Sequence, residues 1–177
     1  SEFSIGGGGV VGAAGSNSLT IENSLIVRNQ INQGASGVRS HSGTLTMVNT
    51  LVANNSGDWG LHVNGPTDFL HVTIAYNQNG VLFNASGVQH VIKNSILWSN
   101  LINAGTGTVT ISYSDIQGGY TGTGNVDVDP LFVSTTAQDY HLQPGSQAIN
   151  AGDPAGALAT DLDGKLRDAL PDMGAYE

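Results

Sequence analysis

The sequence predicts an all-β protein, a right-handed parallel β-helix of about five coils that is closed by an irregular C-terminal capping region. Three observations support this prediction. One sequence unit recurs along the chain, a glycine-led aliphatic segment recurs between its copies, and the composition suits short strands joined by turns. Only 11% of the 177 residues are charged and 25 are Gly, which argues against long helices and against a charge-rich disordered chain.

The recurring unit has the form apolar-polar-apolar-x-Asn-Ser/Thr-x-aliphatic-x-x-Asn. Full copies occupy residues 19–29, 45–55 and 90–100. A degenerate copy has His71 in place of the first Asn, and a weaker copy has Tyr113 there. The first-Asn positions, 23, 49, 71, 94 and 113, are 26, 22, 23 and 19 residues apart. Such a period, near 22 residues, indicates a solenoid in which each copy forms part of one coil.

A second segment, Gly-aliphatic-x-x, begins at Gly37, Gly60 and Gly80, between copies of the first. Each coil therefore offers two or three short strands separated by turns of Gly, Asn and Ser. Because side chains alternate along a strand, stacking the copies in register places three columns of apolar side chains inside. The first column is Ile21, Met47, Phe69, Ile92 and Ile111; the second is Ile26, Val52, Ile74, Leu97 and Ile116; the third is Val38, Leu61 and Val81.

The last Asn of the unit also aligns from coil to coil. Stacking brings four amide side chains to one turn: Asn29, Asn55, Asn77 and Asn100. We expect a structural ladder there, because stacked amides bond to one another and to the turn backbone along the axis. Two histidines are also expected to be structural. His71 replaces an Asn as a hydrogen-bonding group at a turn, and His90 takes an apolar position in the core.

The C-terminal tail carries four motifs: DPLF at residues 129–132, DYHLQPGSQAINAGD at 139–153, DLDGKLR at 161–167 and DMGAYE at 172–177. This tail resembles the C-terminal region of choice-of-anchor Q domain proteins. The coils resemble, more generically, the right-handed parallel β-helix repeat proteins of bacterial surfaces. The resemblance implies an exported bacterial protein, secreted or at the cell surface, whose last coil is closed by this tail. It implies no particular reaction.

A cap also has a physical reason, because the end of a solenoid exposes apolar columns and unpaired strand edges. The apolar residues of the tail are spaced irregularly enough to cover such an end: Leu131, Phe132, Leu142, Ile149, Met173 and Tyr176. We therefore expect one structural domain, with the coils in residues 1–119 and the last coil and cap in residues 120–177.

Charge and composition exclude several classes of partner. The net charge is −9, from five Lys and Arg against fourteen Asp and Glu, so the basic surface that nucleic acid requires is lacking. Acidic polysaccharides are repelled unless a metal ion bridges them to the protein. The sequence has no Cys, and no apolar run approaches the roughly 18 residues of a membrane span. We expect neither a nucleic acid partner nor membrane insertion.

An active site within these coils is disfavoured. A β-helix lyase needs carboxylates for calcium beside an Arg or Lys base, and a hydrolase needs two carboxylates on one face. The acids of the coils are Glu22, Asp58, Asp68 and Asp115, and the bases are Arg28, Arg39 and Lys93. No two of these acids are neighbours in one column. The alternative is the C-terminal part of a polysaccharide lyase or glycoside hydrolase whose active site lies mostly in upstream coils.

The strongest outward cluster lies on the strand of the glycine-led segment. Arg39 is expected above His62 in one column. Two residues along, His41 is expected above Asn64 and Asn84. Cationic and amide groups of this kind hold sugar hydroxyls or a carboxylate, although an ordinary solvated sheet face is the alternative. The candidate carbohydrate-binding residues are therefore Arg39, His41, His62 and Asn64.

Asp161 and Asp163, followed by Gly164, have the spacing of the first carboxylates of a calcium loop. The sequence lacks the further acidic ligands of a full site. A hairpin turn at Asp163 and Gly164 is the alternative. Calcium is thus a candidate ligand of Asp161 and Asp163, and no cofactor is required.

These observations favour a non-catalytic, surface-associated segment, structural or adhesive, with weak carbohydrate binding as its molecular activity. We also expect a mature or trimmed fragment whose first coil, with the column headed by Val10, exposes strand edges. An exposed edge can pair with a second copy of the chain. The sequence therefore predicts end-to-end self-association through the first coil.

Overall fold

The computed structural model describes residues 9–12, 18–32, 34–100, 102–103, 105 and 107–177. This part of the chain contains no helix, and so none long and apolar enough to cross a membrane. The strands of the coils are β1 (Val10–Gly12), β2 (Leu19–Val27), β3 (Ala35–Ser40), β4 (Leu45–Ala53), β5 (Trp59–Val63), β6 (Thr67–Ala75), β7 (Val81–Phe83), β8 (Gln89–Lys93), β9 (Ile96–Trp98), β10 (Ile102–Asn103), β11 (Thr108–Ser112) and β12 (Asp115–Ile116). In the tail, β13 (Phe132–Ser134) and β14 (Asp139–Leu142) pair antiparallel.

The fold is an all-β parallel solenoid, as predicted, although it has about four turns instead of about five. Its coils have three faces. The first face contains the amino-terminal halves of β2, β4 and β6 together with β8 and β11. The second contains the carboxyl-terminal halves of the same three strands together with β9 and β12. The third face contains β1, β3, β5, β7 and β10.

A left-handed residue makes the bend between the first and second faces. It stands at the first Asn of each repeat, where φ is 47° at Asn23, 43° at Asn49, 52° at His71, 51° at Asn94 and 48° at Tyr113. Asn tolerates this conformation better than most non-Gly residues, which explains why the sequence repeats it. The following Ser or Thr closes the bend, because its hydroxyl donates to the carbonyl two residues back, as in Thr50 to Val48 at 2.8 Å.

The three predicted apolar columns are confirmed. In the first, Ile21 lies opposite Met47, which lies opposite Phe69 on the next strand. The other two columns align in the same way. Every member of the three columns is 7% exposed or less, and all belong to one hydrophobic cluster. The core of the solenoid therefore consists of stacked side chains from successive coils.

The asparagine ladder is confirmed as well. Asn29 donates through Nδ2 to Oδ1 of Asn55 at 2.9 Å, and Asn55 donates to Asn77 at 2.8 Å. Asn77 reaches Asn100 at 3.4 Å. The same Oδ1 atoms also accept the backbone N–H of the coil before, for example from Asn55 to Asn77 at 3.1 Å. Each internal amide thus bonds to the coil on either side of it.

The tail differs from the cap that the sequence predicts. Residues 120–126 do lie on the last coil, where Ile116 donates its N–H to the Val126 carbonyl at 2.9 Å. Most of the remaining tail packs on the outside of the second face. The apolar cluster formed there contains Leu51, Ala53, Ala75 and Ile96 from the coils and Phe132, Tyr140, Ala148, Met173, Ala175 and Tyr176 from the tail. Of the residues expected over the end, Leu131 is 39% exposed.

The physical reason is a second apolar surface on the coils. The coil residues of this cluster alternate with the inward column of Val52 and Ile74, so they are on the outer side of the same sheet. A sheet that is apolar on both sides needs a layer on each. The tail is that layer.

Polar contacts hold the tail at the bends of the coils. Asn94 donates through Nδ2 to the Asp153 carbonyl at 2.9 Å, and its Oδ1 accepts the Asp153 N–H at 2.8 Å. Asn49 donates to the Thr160 carbonyl at 2.8 Å. Lys93 adds an ion pair to Asp153 at 2.8 Å. The residues that turn the chain between faces therefore also bind the tail.

Arg167 anchors the carboxyl-terminal end of the tail. Its side chain is 1% exposed, and its Nη1 lies 3.0 Å from Oε2 of Glu177. Its Nη2 donates to Oδ1 of Asn49 at 3.2 Å and to the Gly174 carbonyl at 3.1 Å. Burial lowers the pKa of Arg167, and the negative charge of Glu177 opposes that shift. One buried guanidinium thus joins the last residues of the chain to the second repeat.

Candidate functional site

The third face carries the predicted carbohydrate-binding residues. Arg39 lies opposite His62, and His62 lies opposite Leu82. These three residues alternate with buried residues of β3, β5 and β7 and are themselves partly exposed, so their side chains are on the outer surface. The predicted stacking of Arg39 on His62 is confirmed.

Amide groups lie beside this column. Asn84 donates through Nδ2 to Oδ1 of Asn64 at 3.0 Å, and Asn64 is in turn hydrogen-bonded to His62. His41 lies close enough to His62 for its charge to act on the imidazole. The structure thus brings Arg39 and the three other predicted residues into one polar cluster, which we call the third-face cluster.

The electrostatics of this cluster keep His62 neutral. Burial lowers the pKa of His62 below its ordinary value of 6.5, and the positive charge of Arg39 lowers it further. The hydrogen bond to Asn64 opposes these effects. At neutral pH the third-face cluster therefore contains one guanidinium, a neutral imidazole whose Nε2 is buried, and two amides. This set can bond to hydroxyls and to a single carboxylate.

Among the described residues no carboxylate shares these columns, so in this part of the chain the third-face cluster includes no pair of carboxylates for glycoside cleavage. The coil acids lie elsewhere. Asp68 and Glu22 occupy different columns of the first face, because Asp68 aligns with Thr46 while Glu22 aligns with Val48. Asp58 accepts the Gly34 N–H at 2.7 Å in a turn.

The other two coil histidines, His71 and His90, have structural contacts. Asn94 Nδ2 lies 3.2 Å from Nε2 of His71, which therefore accepts a hydrogen bond and is neutral. Burial, followed by the charge of Arg167, lowers the pKa of His71 to about 3. His90 contacts Thr67 through Nδ1 at 3.2 Å, and its ring lies 4.3 Å from that of Phe83. Both residues fill the positions that the repeat predicts for them.

The carboxylate of Asp161 is occupied by backbone donors. Its Oδ1 accepts the N–H groups of Asp163 at 3.0 Å and Lys165 at 2.8 Å, and its Oδ2 accepts that of Glu177 at 2.8 Å. Oδ2 of Asp163 lies 2.9 Å from Nε2 of His141. The described residues contain no group of three or more His, Cys, Asp or Glu arranged to hold a metal ion. Calcium at Asp161 and Asp163 stays a prediction.

Two titratable sites were missed from the sequence. His141 lies between two carboxylates, with Nδ1 2.6 Å from Asp139 and Nε2 2.9 Å from Asp163. The i, i+2 spacing of Asp139 and His141 on one strand was the available signal. Asp115 is fully buried, and within the part of the chain that the structure describes only its Oδ1 is bonded, to the Val128 N–H at 3.2 Å. Burial raises the pKa of Asp115 to about 7.

Known proteins add no further constraint on the third-face cluster. Comparison of the chain with protein-family models, with curated protein sequences and with solved structures found no match.

Proposed function

We propose that this chain is a non-catalytic, surface-associated segment of an exported bacterial protein, structural or adhesive, that binds carbohydrate weakly through the third-face cluster. The surface location is supported by the resemblance of residues 129–177 to choice-of-anchor Q domain proteins. The structural role is supported by the solenoid itself, because the residues of the ladder and the columns bond to or pack on neighbouring coils.

The observation that carries the binding proposal is the placement of Arg39 directly opposite His62 on an outward face. A guanidinium beside a neutral imidazole and amides offers donors at fixed positions for sugar hydroxyls and one carboxylate. The overall charge of −9 opposes polyanions, so a glycan with an occasional acidic sugar suits this cluster better than a uronan.

A glycan-array screen of the full chain, followed by calorimetric titration of the glycans it binds, tests this proposal. We expect Arg39→Gln to lose most of the binding to acidic glycans. The matched control is Arg28→Gln, which removes the same charge from an exposed position just after β2, away from the third face. Equal binding by Arg39→Gln and the parent chain, or no bound glycan on the array, would contradict the proposal.

We also propose end-to-end self-association through the first coil. Among the described residues, β1 pairs only with β3, and β2 pairs only with β4. Light scattering across a concentration series should show dimers, and charges introduced at Val10 and Val11 should abolish them. A chain that stays monomeric at every concentration would overturn this part of the proposal.

A further inference from the structure

A groove follows the asparagine ladder on the outside of the coils. It consists of three depressions of about 410, 450 and 330 Å³. The first and second share Asn77 and Ser99, and the first and third share Tyr76. The coil residues of their lining run from Asn54 to Gly118 through four successive copies of the repeat. Because neighbouring strands are about 4.8 Å apart, this ladder groove extends roughly 14 Å along the solenoid axis.

The lining of the ladder groove is polar and almost uncharged. The first two depressions are lined by Asn, Gln, Ser, Gly and one Tyr, with no ionisable acid or base. The third adds a single carboxylate, Asp129, beside the exposed apolar side chains of Leu131 and Val133. None of these lining residues carries a positive charge that would bind an anionic ligand. The lining is also too polar to bind a lipid chain. The lining suits a neutral ligand rich in hydroxyl groups.

Two amide side chains at the rim are hydrogen-bonded through one end of the amide only, among the described residues. Oε1 of Gln117 accepts the Ser99 N–H at 2.6 Å, which leaves its NH₂ group without a partner among the described residues. Nδ2 of Asn79 donates to the Asp58 carbonyl at 2.7 Å, which leaves its Oδ1 without a partner in the same part of the chain. The exposed Gln78 makes no side-chain hydrogen bond there. The rim therefore offers oriented donors and acceptors in a row.

Tyr76 stands in the middle of the ladder groove at a left-handed position. Its φ is 54°, and the residues at the same place in the neighbouring coils are Asn54 and Ser99, with φ of 54° and 53°. A bulky residue is more strained than Asn in this conformation. Burial of the ring does not offset this strain fully, because Tyr76 is 38% exposed. Its hydroxyl bonds to Ser99, and its ring lies 6.4 Å from that of Tyr140.

We propose that the ladder groove binds an uncharged, extended oligosaccharide, with Tyr76 against one sugar ring and the free groups of Gln78, Asn79 and Gln117 bonding to sugar hydroxyls. A sugar has an apolar ring face and a rim of hydroxyls, which matches an exposed aromatic ring among amides. An extended glycan advances by about one coil spacing per sugar. Burial raises the pKa of Tyr76, and the negative charge of Asp129 raises it further. The Asp129 carboxylate also repels uronic acids from this position.

This inference shares the carbohydrate class with the proposed function but rests on different residues. Its test is calorimetric titration of the full chain with cellohexaose, xylohexaose and mannohexaose, and with trigalacturonate for comparison. The variant is Tyr76→Asn, which places at this turn the residue that the preceding coil has at Asn54. The matched control is Tyr113→Asn, because Tyr113 is also left-handed, with φ of 48°, and the first three repeats show that its position accepts Asn or His.

We expect at least one neutral hexasaccharide to bind, and Tyr76→Asn to weaken it roughly tenfold, as the loss of one stacked aromatic ring does. Gln78→Ala, which removes an exposed amide, should weaken it less. Tyr113→Asn should bind as the parent does. The inference is overturned if no neutral hexasaccharide binds at millimolar concentration or if Tyr76→Asn binds normally. If Arg39→Gln loses the binding of acidic glycans, that result bears on the third-face cluster and not on the ladder groove.

Discussion

The coils and the tail are held together by different kinds of contact. In the coils each contact recurs one repeat later, so that Asn29 bonds to Asn55, 26 residues on, and Asn55 bonds to Asn77, 22 residues on. Between the tail and the coils each contact occurs once and spans a long stretch of chain, up to 118 residues between Arg167 and Asn49. Removing one contact should therefore weaken one coil in the first region and release a whole segment in the second.

The same contrast appears within the second face. Leu25 and Leu51 are neighbours in register on β2 and β4, yet Leu25 is 62% exposed and Leu51 only 1%. The difference is the tail, which covers Leu51 in an apolar cluster that does not include Leu25. Identical positions in the repeat thus have different environments.

The largest effect is expected from Arg167→Ala. It leaves the Glu177 carboxylate, 12% exposed, without its ion pair and several carbonyls without a donor, at a cost of about 3 to 5 kcal/mol. Hydrogen exchange should accelerate in residues 129–177 and stay slow in the coils. Lys165→Ala, whose ammonium is exposed, is the control. Equal acceleration in both regions would contradict the idea of a separately anchored tail.

The next largest effect concerns Asp115, at the junction of the two regions. Its folded pKa of about 7 lies above the ordinary value of 3.8, so the unfolded chain ionises first as the pH rises. Stability from this group is fully present below pH 4 and is lost as the pH rises through 7. Asp115→Asn should remove this loss and raise the free energy of unfolding at pH 8 by up to about 4 kcal/mol.

Denaturant titrations of both chains at pH 5 and pH 8 measure this effect. The stabilising difference should be larger at pH 8 than at pH 5. Asp68→Asn, an exposed carboxylate of the first face, should show little change between the two pH values. A parallel pH dependence of Asp115→Asn and the parent chain would show that the buried carboxyl does not titrate in this range.

Leu51→Ala and Leu25→Ala form a matched pair for the covered and uncovered positions. Leu51→Ala should cost about 2 to 4 kcal/mol, because it opens a cavity under the tail. Leu25→Ala should cost less than about 0.5 kcal/mol, since the side chain is already in water. Chemical denaturation checks both values, and similar losses for the two variants would refute the tail cover.

Asn77→Leu tests the ladder. It leaves the polar partners of Asn77 in the adjacent coils unsatisfied, at a cost of about 1 to 3 kcal/mol. The exposed Asn84 provides the control as Asn84→Leu, which breaks one surface bond only. Thermal melts compare the two, and an unchanged melting temperature of Asn77→Leu would argue against a stabilising ladder.

The smallest effect is expected from calcium. If Asp161 and Asp163 share an ion, calcium should raise the melting temperature, and Asp163→Ala should remove the rise. The rise should be slight, because the Asp161 oxygens already accept three backbone N–H groups. Identical melts in chelator and in millimolar calcium would leave the turn as the sole role of this loop.

The sequence alone predicted the coils and part of the candidate site. The repeat defines which residues are equivalent, and equivalent residues of a parallel solenoid must stack, so the columns, the ladder and the pairing of Arg39 with His62 followed from spacing. The repeated Asn in the sequence identified the bend residues, but it did not show that some of them also bind the tail. Nothing in the repeat shows that Asn49 and Asn94 also bond to the tail.

Only the tertiary structure decided where the tail lies and which residues it buries. Its contacts occur once, between residues separated by up to 118 positions, so no periodicity predicts them. The apolar outer side of the second face, at Leu51, Ala53 and Ala75, was a signal that two layers were needed, but it did not name the covering segment. The third depression of the ladder groove arises in the same way, because Tyr76 meets Asp129 and Leu131 only after the tail has folded back. Register is a local consequence of repetition, whereas the packing of a single segment depends on the shape of the whole molecule.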